Sequence, residues 1–419
     1  MGLVVLKVDS VRARIALLIS LTVIAVVQAG VEVAVANSTI STGKLEIELP
    51  LTPRIVAQAA VASGSGAVSG ISTLRAGLVL EYRPPRPVQG TEMVIGAGRW
   101  WFSLGGNDEE RSLLLSSVAG PYTALRYTLW KSFGTPTGEA FPAAATYTRM
   151  WANLAETPGQ TRWLGIHYLR LDLRPGLTIG AGEASIFDTH FPGDVAYYIV
   201  PLLPYYLTKK IPGLPSTHDN SLFYFDGQAT LAGQTELFGA FLVNEFPMVP
   251  GAGNPALYAW QIELDNPRWS LAYTQVRHLA YSNGNPDLVY RFQGQPLGYP
   301  GGSDLDHLEL TVPTLQLPAV QTEAGIFVRR AGEGKLDDWA ADWNVWRQHQ
   351  FLTGIVETWV GMHLHLRGKA VRSTAPASPR SSAASWSLDL KLGPVWNAGH
   401  QEGHVAHRSE VSLVVSATL

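Results

Sequence analysis

Apolar and polar residues alternate along most of the chain, and the alternation is sharpest near the C-terminus. Val360, Met362 and Leu364 share one parity there, while His363 and His365 occupy the other. A period of two residues indicates a β-strand whose two faces meet different surroundings. Several such runs last about 10 to 14 residues, whereas strands of soluble proteins average about 5–6 residues and a tilted membrane strand needs about 9–11. The pattern therefore predicts strands long enough to cross a membrane.

Turn residues separate the alternating runs, so the strands can be counted. About eighteen are predicted, with sixteen as the main alternative, because single-chain bacterial barrels have an even number. The candidate strands lie near residues 44–49, 54–62, 74–82, 92–104, 112–117, 122–131, 143–154, 161–173, 177–187, 221–230, 234–245, 256–265, 268–279, 307–317, 319–330, 351–367, 384–397 and 405–419.

Two all-β architectures produce this alternation. A soluble sandwich has an apolar interior and a polar surface, whereas a membrane barrel has an apolar exterior and a polar lumen. Tryptophans lie near the predicted strand ends, for example Trp100, Trp130, Trp163, Trp269 and Trp396, as an aromatic belt at the membrane interface requires. Together with strand length, this favours an all-β fold: a transmembrane antiparallel β-barrel with long extracellular loops.

The N-terminus has the pattern of a secretory signal peptide. Basic residues precede an apolar run at 15–27, and small residues at Ala29 and Ala36 offer two cleavage sites. The alternative is a membrane anchor helix, but Gln28 and Glu32 interrupt the run before the roughly 20 residues that a span needs. We therefore expect residues 1–36 to be a signal peptide and 37–419 to be a barrel. Its expected location is the outer membrane of a diderm bacterium, with membrane lipid and the barrel assembly machinery as partners.

Composition narrows the possible chemistry. The chain contains no cysteine, which excludes disulfides, cysteine-based zinc sites and a thiol nucleophile. A net charge of -3 gives no reason to expect nucleic acid, which requires a clustered basic face. Ser185 lies in a sequence without the G-x-S-x-G elbow of hydrolases. We expect no cofactor and no enzymatic activity.

A set of short segments follows in order along the chain from Trp163 to its end: residues 167–171, 177–183, 197–203, 219–226, 236–246, 271–274, 296–298 and 302–304. This ordered set resembles the Wzi-type capsule assembly family of outer-membrane barrels. It implies a non-enzymatic, lectin-like protein that holds capsular polysaccharide at the cell surface. Two departures matter: residues 37–75 lack the pattern of that family's small helical bundle, and the chain ends on Leu419 where an aromatic residue is common.

Charged residues on the polar parity predict an electrostatic network in the lumen. Several of these acidic residues also match the family resemblance, so a ligand-binding role is the alternative. His363 and His365 share one face of a strand and could hold a metal, but no third ligand can be placed, so we predict none. The predicted network consists of Arg170, Glu183, Asp219, Asp226, Glu236, Glu245, Arg277, His363, His365 and Arg367.

One loop is a candidate for sugar binding. Trp339, Trp343 and Trp346 recur at helical spacing, and Asp338 and Asp342 lie between them. The C–H face of a sugar ring stacks on indole, and carboxylates accept hydrogen bonds from sugar hydroxyls. The alternative is an amphipathic helix that packs its tryptophans into the barrel mouth.

Three functions from different classes follow from these features. The first is a surface polysaccharide-binding lectin, and the second is a porin or solute channel. The third is a structural or enzymatic barrel of another kind. The polar parity permits a channel, and the missing helical bundle would leave such a pore less obstructed.

Overall fold

The structure is a computed structural model. It describes residues 39–52, 55–65, 72–83, 91–100, 102–107, 111–133, 143–188, 205, 219–244, 257–316, 320–336, 351–369 and 383–418. The predicted signal peptide, 1–36, lies outside these residues.

Most of the described chain is β-structure, with three short 3-10 helices at Ala232–Gln234, Pro286–Leu288 and Ala398–His400. The strands are β1 (Thr39–Thr52), β2 (Ile55–Ser65), β3 (Ser72–Tyr82), β4 (Thr91–Trp100), β5 (Tyr122–Ser132), β6 (Ala144–Asn153), β7 (Arg162–Arg174), β8 (Leu177–Asp188), β9 (Asp219–Thr230), β10 (Glu236–Asn244), β11 (Tyr258–Asn266), β12 (Trp269–Val276), β13 (Arg291–Phe292), β14 (Gln295–Pro296), β15 (Leu305–Gln316), β16 (Val320–Ala331), β17 (Glu357–Lys369), β18 (Ala383–Trp396) and β19 (Val405–Thr418). Among the described residues, no helix has the length and apolar character needed to span a membrane.

All strands except the short pair β13 and β14 belong to one 17-stranded sheet. Neighbours in this wall are consecutive in the chain and antiparallel, with β12 pairing directly with β15. The first strand, β1, pairs with β2 on one side and, in parallel, with β19 on the other. Every wall strand therefore has two neighbours, and the sheet closes into a barrel.

The strand count differs from the expected even number because the barrel closes through a parallel pair. All predicted strands but one have a counterpart in the wall. The exception is 112–117, which lies between β4 and β5 and is not part of the wall. A short apolar run does not reveal by periodicity whether it is a strand or another buried extended segment.

The two faces of the wall have opposite character. Leu308 is 42 % exposed and Met362 66 %, while their neighbours Glu309 and His363 are 5 % and 8 % exposed. Strand register places other exposed apolar side chains on the same outer face, including Leu125, Leu169, Phe225, Phe241, Ile262, Ile326 and Leu392. An apolar exterior around a polar interior is the arrangement of a transmembrane barrel.

The two ends of the barrel differ in their connections. Residues 53–54, 175–176, 267–268 and 317–319 link strands at one end, here called the turn end. Residues 101–121, 189–218, 277–304 and 332–356 link strands at the other, here called the loop end. In such barrels short turns face the periplasm and long loops face the outside of the cell. The turn end is therefore the periplasmic end, and the loop end is the extracellular one.

Candidate functional site

The lumen is the first candidate site, and two loop-end connections fold into it. Residues 102–107 and 111–121, here called the plug hairpin, pair with each other through backbone hydrogen bonds of 3.0 and 3.2 Å between Leu104 and Leu115. Residues 277–304, here called the plug loop, pack against the hairpin. Leu113 and Leu114 at their contact are fully buried. The hydrophobic core of this protein therefore includes the inside of the barrel.

Tyrosine hydroxyls join the two plug segments. Tyr281 donates to the carbonyl of Leu113 at 2.9 Å, and Tyr290 donates to that of Leu114 at 2.7 Å. The hydroxyl of Tyr281 also accepts from the backbone N–H of Tyr299 at 3.1 Å. Burial raises the pKa of all three tyrosines above its ordinary value. The hydroxyls of Tyr281 and Tyr290 therefore stay protonated, and remain donors, at pH values where an exposed tyrosine ionises.

The plug hairpin is attached to the lumen wall by polar contacts. Arg111 forms an ion pair with Glu309 of β15 at 2.7 Å. Asn107 donates to Glu263 at 3.3 Å and to Asp265 at 3.2 Å, both on β11. Asp265 lies one residue from the end of its strand at the turn end. The hairpin thus extends from the loop end through most of the barrel's height.

Glu309 is the centre of a cluster on the lumen wall. Besides Arg111, it lies 3.2 Å from His363 Nδ1 and 3.5 Å from His307 Nε2. His363 is 3.2 Å from the hydroxyl of Thr311, and His307 is 2.8 Å from that of Tyr299. The cluster therefore links both plug segments to β15 and β17. Within the described residues, no group of three or more histidine, aspartate or glutamate side chains could hold a metal ion.

The plug loop has its own attachment to the wall. Arg162, at the start of β7, donates to the backbone carbonyls of Asp287, Val289 and Arg291. Asn220 at the start of β9 donates to the carbonyl of Leu288 at 2.9 Å. Buried side-chain amides and guanidinium groups thus satisfy carbonyls that a loop inside a barrel would otherwise leave unpaired.

Aromatic side chains fill the lumen beside the plug. Phe327 of β16 and Trp359 of β17 meet edge to face, with ring centres 4.8 Å apart. The guanidinium of Arg408 lies 5.3 Å from the Trp359 ring and forms an ion pair with Glu357 at 3.0 Å. These side chains extend the filled part of the lumen towards β19.

Several predicted network residues lie on the lumen face in local pairs. Asp226 accepts from Tyr168 at 2.8 and 2.9 Å. Arg170 lies 3.5 Å from Asp172, and Glu236 accepts from Gln228 at 2.8 Å. His365 pairs with Asp389, His363 joins the Glu309 cluster, and Arg367 lies on the same face of β17. The structure forms separate pairs and clusters from these residues, and it does not bring them into one network.

Other predicted network residues lie elsewhere. Strand register places Glu183 and Asp219 on the outer face of the wall, together with the apolar Phe225. The predicted lumen position is therefore wrong for both. Arg277 follows the end of β12, and its guanidinium lies 5.6 Å from the rings of Tyr258 and Phe351. Glu245 lies outside the described residues. Glu183 can lie on the outer face because another part of the chain, at Tyr205, covers its charge.

The outer wall contains a buried charged cluster. His167 Nε2 lies 3.1 Å from Glu183 Oε2, and Arg149 is their neighbour on β6. Tyr205 covers them: its ring centre is 4.9 Å from that of His167, and the Arg149 guanidinium lies 5.1 Å from it. A Cβ on Gly165 would lie 2.6 Å from the Tyr205 hydroxyl, so glycine at this position makes room for the ring.

The predicted glycan platform, Trp339, Trp343, Trp346, Asp338 and Asp342, lies outside the described residues. The sequence did not suggest the residues that attach the plug, namely Asn107, Arg111, Glu263 and Glu309. One signal was available: the leucine run 113–115 follows a pair of glycines inside a long connection that also contains Arg111. Such a run in a loop needs an apolar partner, and the lumen provides it.

Comparison with known proteins gave matches among solved structures only. No protein-family model and no curated protein matches the chain. The chain is similar to Wzi of Escherichia coli, an outer membrane protein involved in group 1 capsule assembly and a carbohydrate-binding β-barrel, with 15 % identity, a TM-score of 0.48, and coverage of 84 % of this chain and 79 % of Wzi. It also matches OmpT, an outer membrane protein of Vibrio cholerae, with 10 % identity, a TM-score of 0.26, and coverage of 85 % and 82 %.

The first of these matches is to a protein of the family that the sequence resembles. Strand pairing and the apolar exterior independently define the fold of this chain. It is a closed, membrane-spanning β-barrel of the outer-membrane type, with a lumen that its own loops enter.

Proposed function

We propose that this outer-membrane barrel binds surface polysaccharide at its loop end, without catalysing a reaction. The observation that carries the proposal is the filled lumen. A solute channel needs a continuous aqueous path, but the plug hairpin and plug loop pack Leu113, Tyr281 and Tyr290 against one another inside the barrel. A barrel built in this way serves better as a rigid support for a binding surface than as a conduit.

The chemistry of the loop end supports a sugar ligand. The described surface there presents amide and carboxylate groups, with Gln160 donating to Asp287 at 3.3 Å and Glu156 accepting from the backbone N–H of Gln293 at 3.0 Å. Such groups exchange hydrogen bonds with sugar hydroxyls. The tryptophans of the 335–349 loop would add stacking surfaces for the rings. Capsular polysaccharide is the ligand class that the family resemblance suggests.

The experiment combines polysaccharide retention with conductance. Replacing Trp339, Trp343 and Trp346 together by alanine should abolish retention of surface polysaccharide by intact cells while the purified barrel still shows normal heat-modifiability on a gel. Trp396→Ala is the matched control, because this tryptophan is 43 % exposed on the outer face and should leave retention unchanged. Normal retention by the folded triple variant would contradict the platform, and a steady large conductance of the wild-type protein in planar bilayers would favour the channel instead.

A further inference from the structure

The outer wall at the loop end of β11 to β16 contains a patch of aromatic and charged side chains, here called the rim patch. It consists of Trp260, Tyr273, Arg277, Asp306 and Arg330. The ring centres of Trp260 and Tyr273 lie 5.0 Å apart, and the Tyr273 hydroxyl donates to Asp306 at 3.2 Å. Register aligns Asp306 with Arg330 across the β15–β16 pair. Trp260, Tyr273, Asp306 and Arg330 thus form one connected surface on the side of the wall that faces the membrane.

The carboxylate of Asp306 orients Arg330. Two guanidinium nitrogens of Arg330 donate to its two oxygens, one of them at 3.0 Å. The Asp306 side chain is only 4 % exposed, whereas that of Arg330 is 47 % exposed. A guanidinium group has five N–H donors, so this pairing leaves others directed to the surroundings. Asp306 therefore fixes the arginine in place without covering it.

Arg277 supplies a second cation to the same surface. It follows the last residue of β12, and its backbone N–H donates to the carbonyl of Tyr258 at 3.1 Å, which keeps it beside β11. Register sets Arg330 level with Gln275 across β12, β15 and β16. Arg277 and Arg330 are therefore two strand spacings and two residues apart, or about 12 Å between their Cα atoms. The five side chains of the patch thus include one carboxylate and two guanidinium groups.

The surface below the rim patch is apolar. Leu308, Ile262 and Ile326 are 42 %, 42 % and 58 % exposed on the outer face, one or two rows closer to the membrane centre. A molecule bound here would meet hydrocarbon-binding side chains at one end and arginines at the other. That combination is found where the hydrocarbon core of a membrane gives way to its head groups.

We infer that the rim patch binds the phosphorylated head group of a lipid in the outer leaflet. Guanidinium groups pair with phosphate oxygens through parallel hydrogen bonds, and the neighbouring aromatic rings suit the interface. The acyl chains of the same lipid lie along the strip formed by Leu308, Ile262 and Ile326. The lipid is thereby held against one side of the barrel, next to the plug loop.

Native mass spectrometry of the purified full-length barrel tests this inference. The probes are diphosphorylated lipid A and its dephosphorylated form, with retention measured on the wild type and on the double variant Arg277→Gln, Arg330→Gln. Each arginine near a membrane surface contributes about fivefold to the binding of anionic lipid, so the double variant should retain the phosphorylated probe at least tenfold more weakly. Arg367→Gln is the control, because Arg367 lies on the lumen face of β17. It should behave like the wild type.

Several outcomes would overturn the inference. Equal retention of both probes by the wild type would show that phosphate is not recognised, and equal loss in the Arg367 variant would show a general charge effect. Displacement of lipid A by millimolar inorganic phosphate would assign the patch to the free ion. If the double variant does not fold, Arg330→Lys serves in its place: it keeps the charge but not the paired donors, and should still retain the phosphorylated probe severalfold more weakly than the wild type. Retention equal to wild type would refute the site.

Discussion

The backbone N–H of Tyr205 donates to Glu183 Oε2 at 2.6 Å on the outer face of the barrel wall. Glu183 is 2 % exposed there, and Arg149, two strands away on β6, is 0 % exposed. A charged side chain on the lipid face of a barrel ordinarily destabilises it. Tyr205 belongs to the long connection between β8 and β9, so this connection places a residue over charges that would otherwise meet lipid.

Removal of the Tyr205 ring should therefore destabilise the barrel in a lipid environment. Tyr205→Ala exposes the charges of Arg149 and Glu183, and we expect the free energy of unfolding to fall by about 2–4 kcal/mol, the cost of an arginine facing lipid near the bilayer midplane. Urea denaturation in lipid vesicles measures this change. Tyr82→Ala is the control, since Tyr82 is 41 % exposed on the outer face and should cost much less. Equal losses for both variants would contradict a covering role.

The assignment of the two faces predicts different tolerance at adjacent positions of β17. Leu364 pairs with Ala324 and Leu390 on the outer face, so Leu364→Arg should cost about 2–4 kcal/mol at mid-membrane. His365 lies on the lumen face beside Asp389, and His365→Arg places a guanidinium group next to that carboxylate. Folding assays in vesicles should show a much smaller loss for the second variant. Similar losses at both positions would refute the orientation of the sheet.

Much of the wall could be predicted from the sequence, because lipid on one side and a polar lumen on the other impose a strict period of two. The same alternation also indicated the outer position of Glu183, which the prediction placed in the lumen. Glu183 shares its parity with Ile179 and Phe187, so register alone places it on the apolar face. Assigning every charged residue to the lumen failed here because a remote residue, Tyr205, covers the charge.

The plug inside the lumen could not be predicted from the sequence, again because residues remote in the chain determine it. The plug depends on contacts between residues far apart in the chain, such as Tyr281 with Leu113 and Arg111 with Glu309. Local periodicity carries no information about such contacts. The leucine run of the plug hairpin looks like a strand because it is short, apolar and extended.

The plug tyrosines predict how the protein responds to alkaline solution. Burial raises the pKa of Tyr281 and Tyr290, while the value for unfolded tyrosine is about 10. A group whose folded pKa is raised contributes stability below the unfolded value and loses it as pH increases. We therefore expect the plug to stay closed up to about pH 10 and to loosen above it. Absorbance of tyrosinate near 295 nm and bilayer conductance should rise together.

Phenylalanine variants separate this titration from general alkaline damage. Tyr281→Phe combined with Tyr290→Phe removes both ionising groups and three hydrogen bonds: the two donated to Leu113 and Leu114, and the one that Tyr281 accepts from the Tyr299 N–H. Each bond costs about 1 kcal/mol. The double variant should be less stable at neutral pH but should show a weaker alkaline transition. An unchanged transition would indicate that other groups govern the alkaline response.

The ion pair between Arg111 and Glu309 should hold the plug hairpin in the lumen. Glu309→Ala leaves the Arg111 guanidinium without its 2.7 Å partner and removes the acceptor shared with His307 and His363. Loss of one member of a buried pair costs about 3–5 kcal/mol, and because Arg111 is 26 % exposed we expect the lower end of that range. Displacement of the hairpin would open an aqueous path, so planar bilayer recordings of Glu309→Ala should show opening events that the wild type lacks.

Two further variants make this prediction specific to the ion pair. Glu309→Gln keeps the shape of the side chain and one acceptor for Arg111, so its openings should be rarer than those of Glu309→Ala. Glu236→Gln removes a lumen glutamate whose partner is Gln228 on the neighbouring strand, away from the plug contacts described above, and it should stay as silent as the wild type. The expected order of conductance is therefore Glu309→Ala, then Glu309→Gln, then Glu236→Gln and wild type together. If Glu309→Ala folds and remains silent, the hydrogen bonds of Tyr281 and Tyr290 are sufficient to hold the plug, and Arg111 only orients its hairpin.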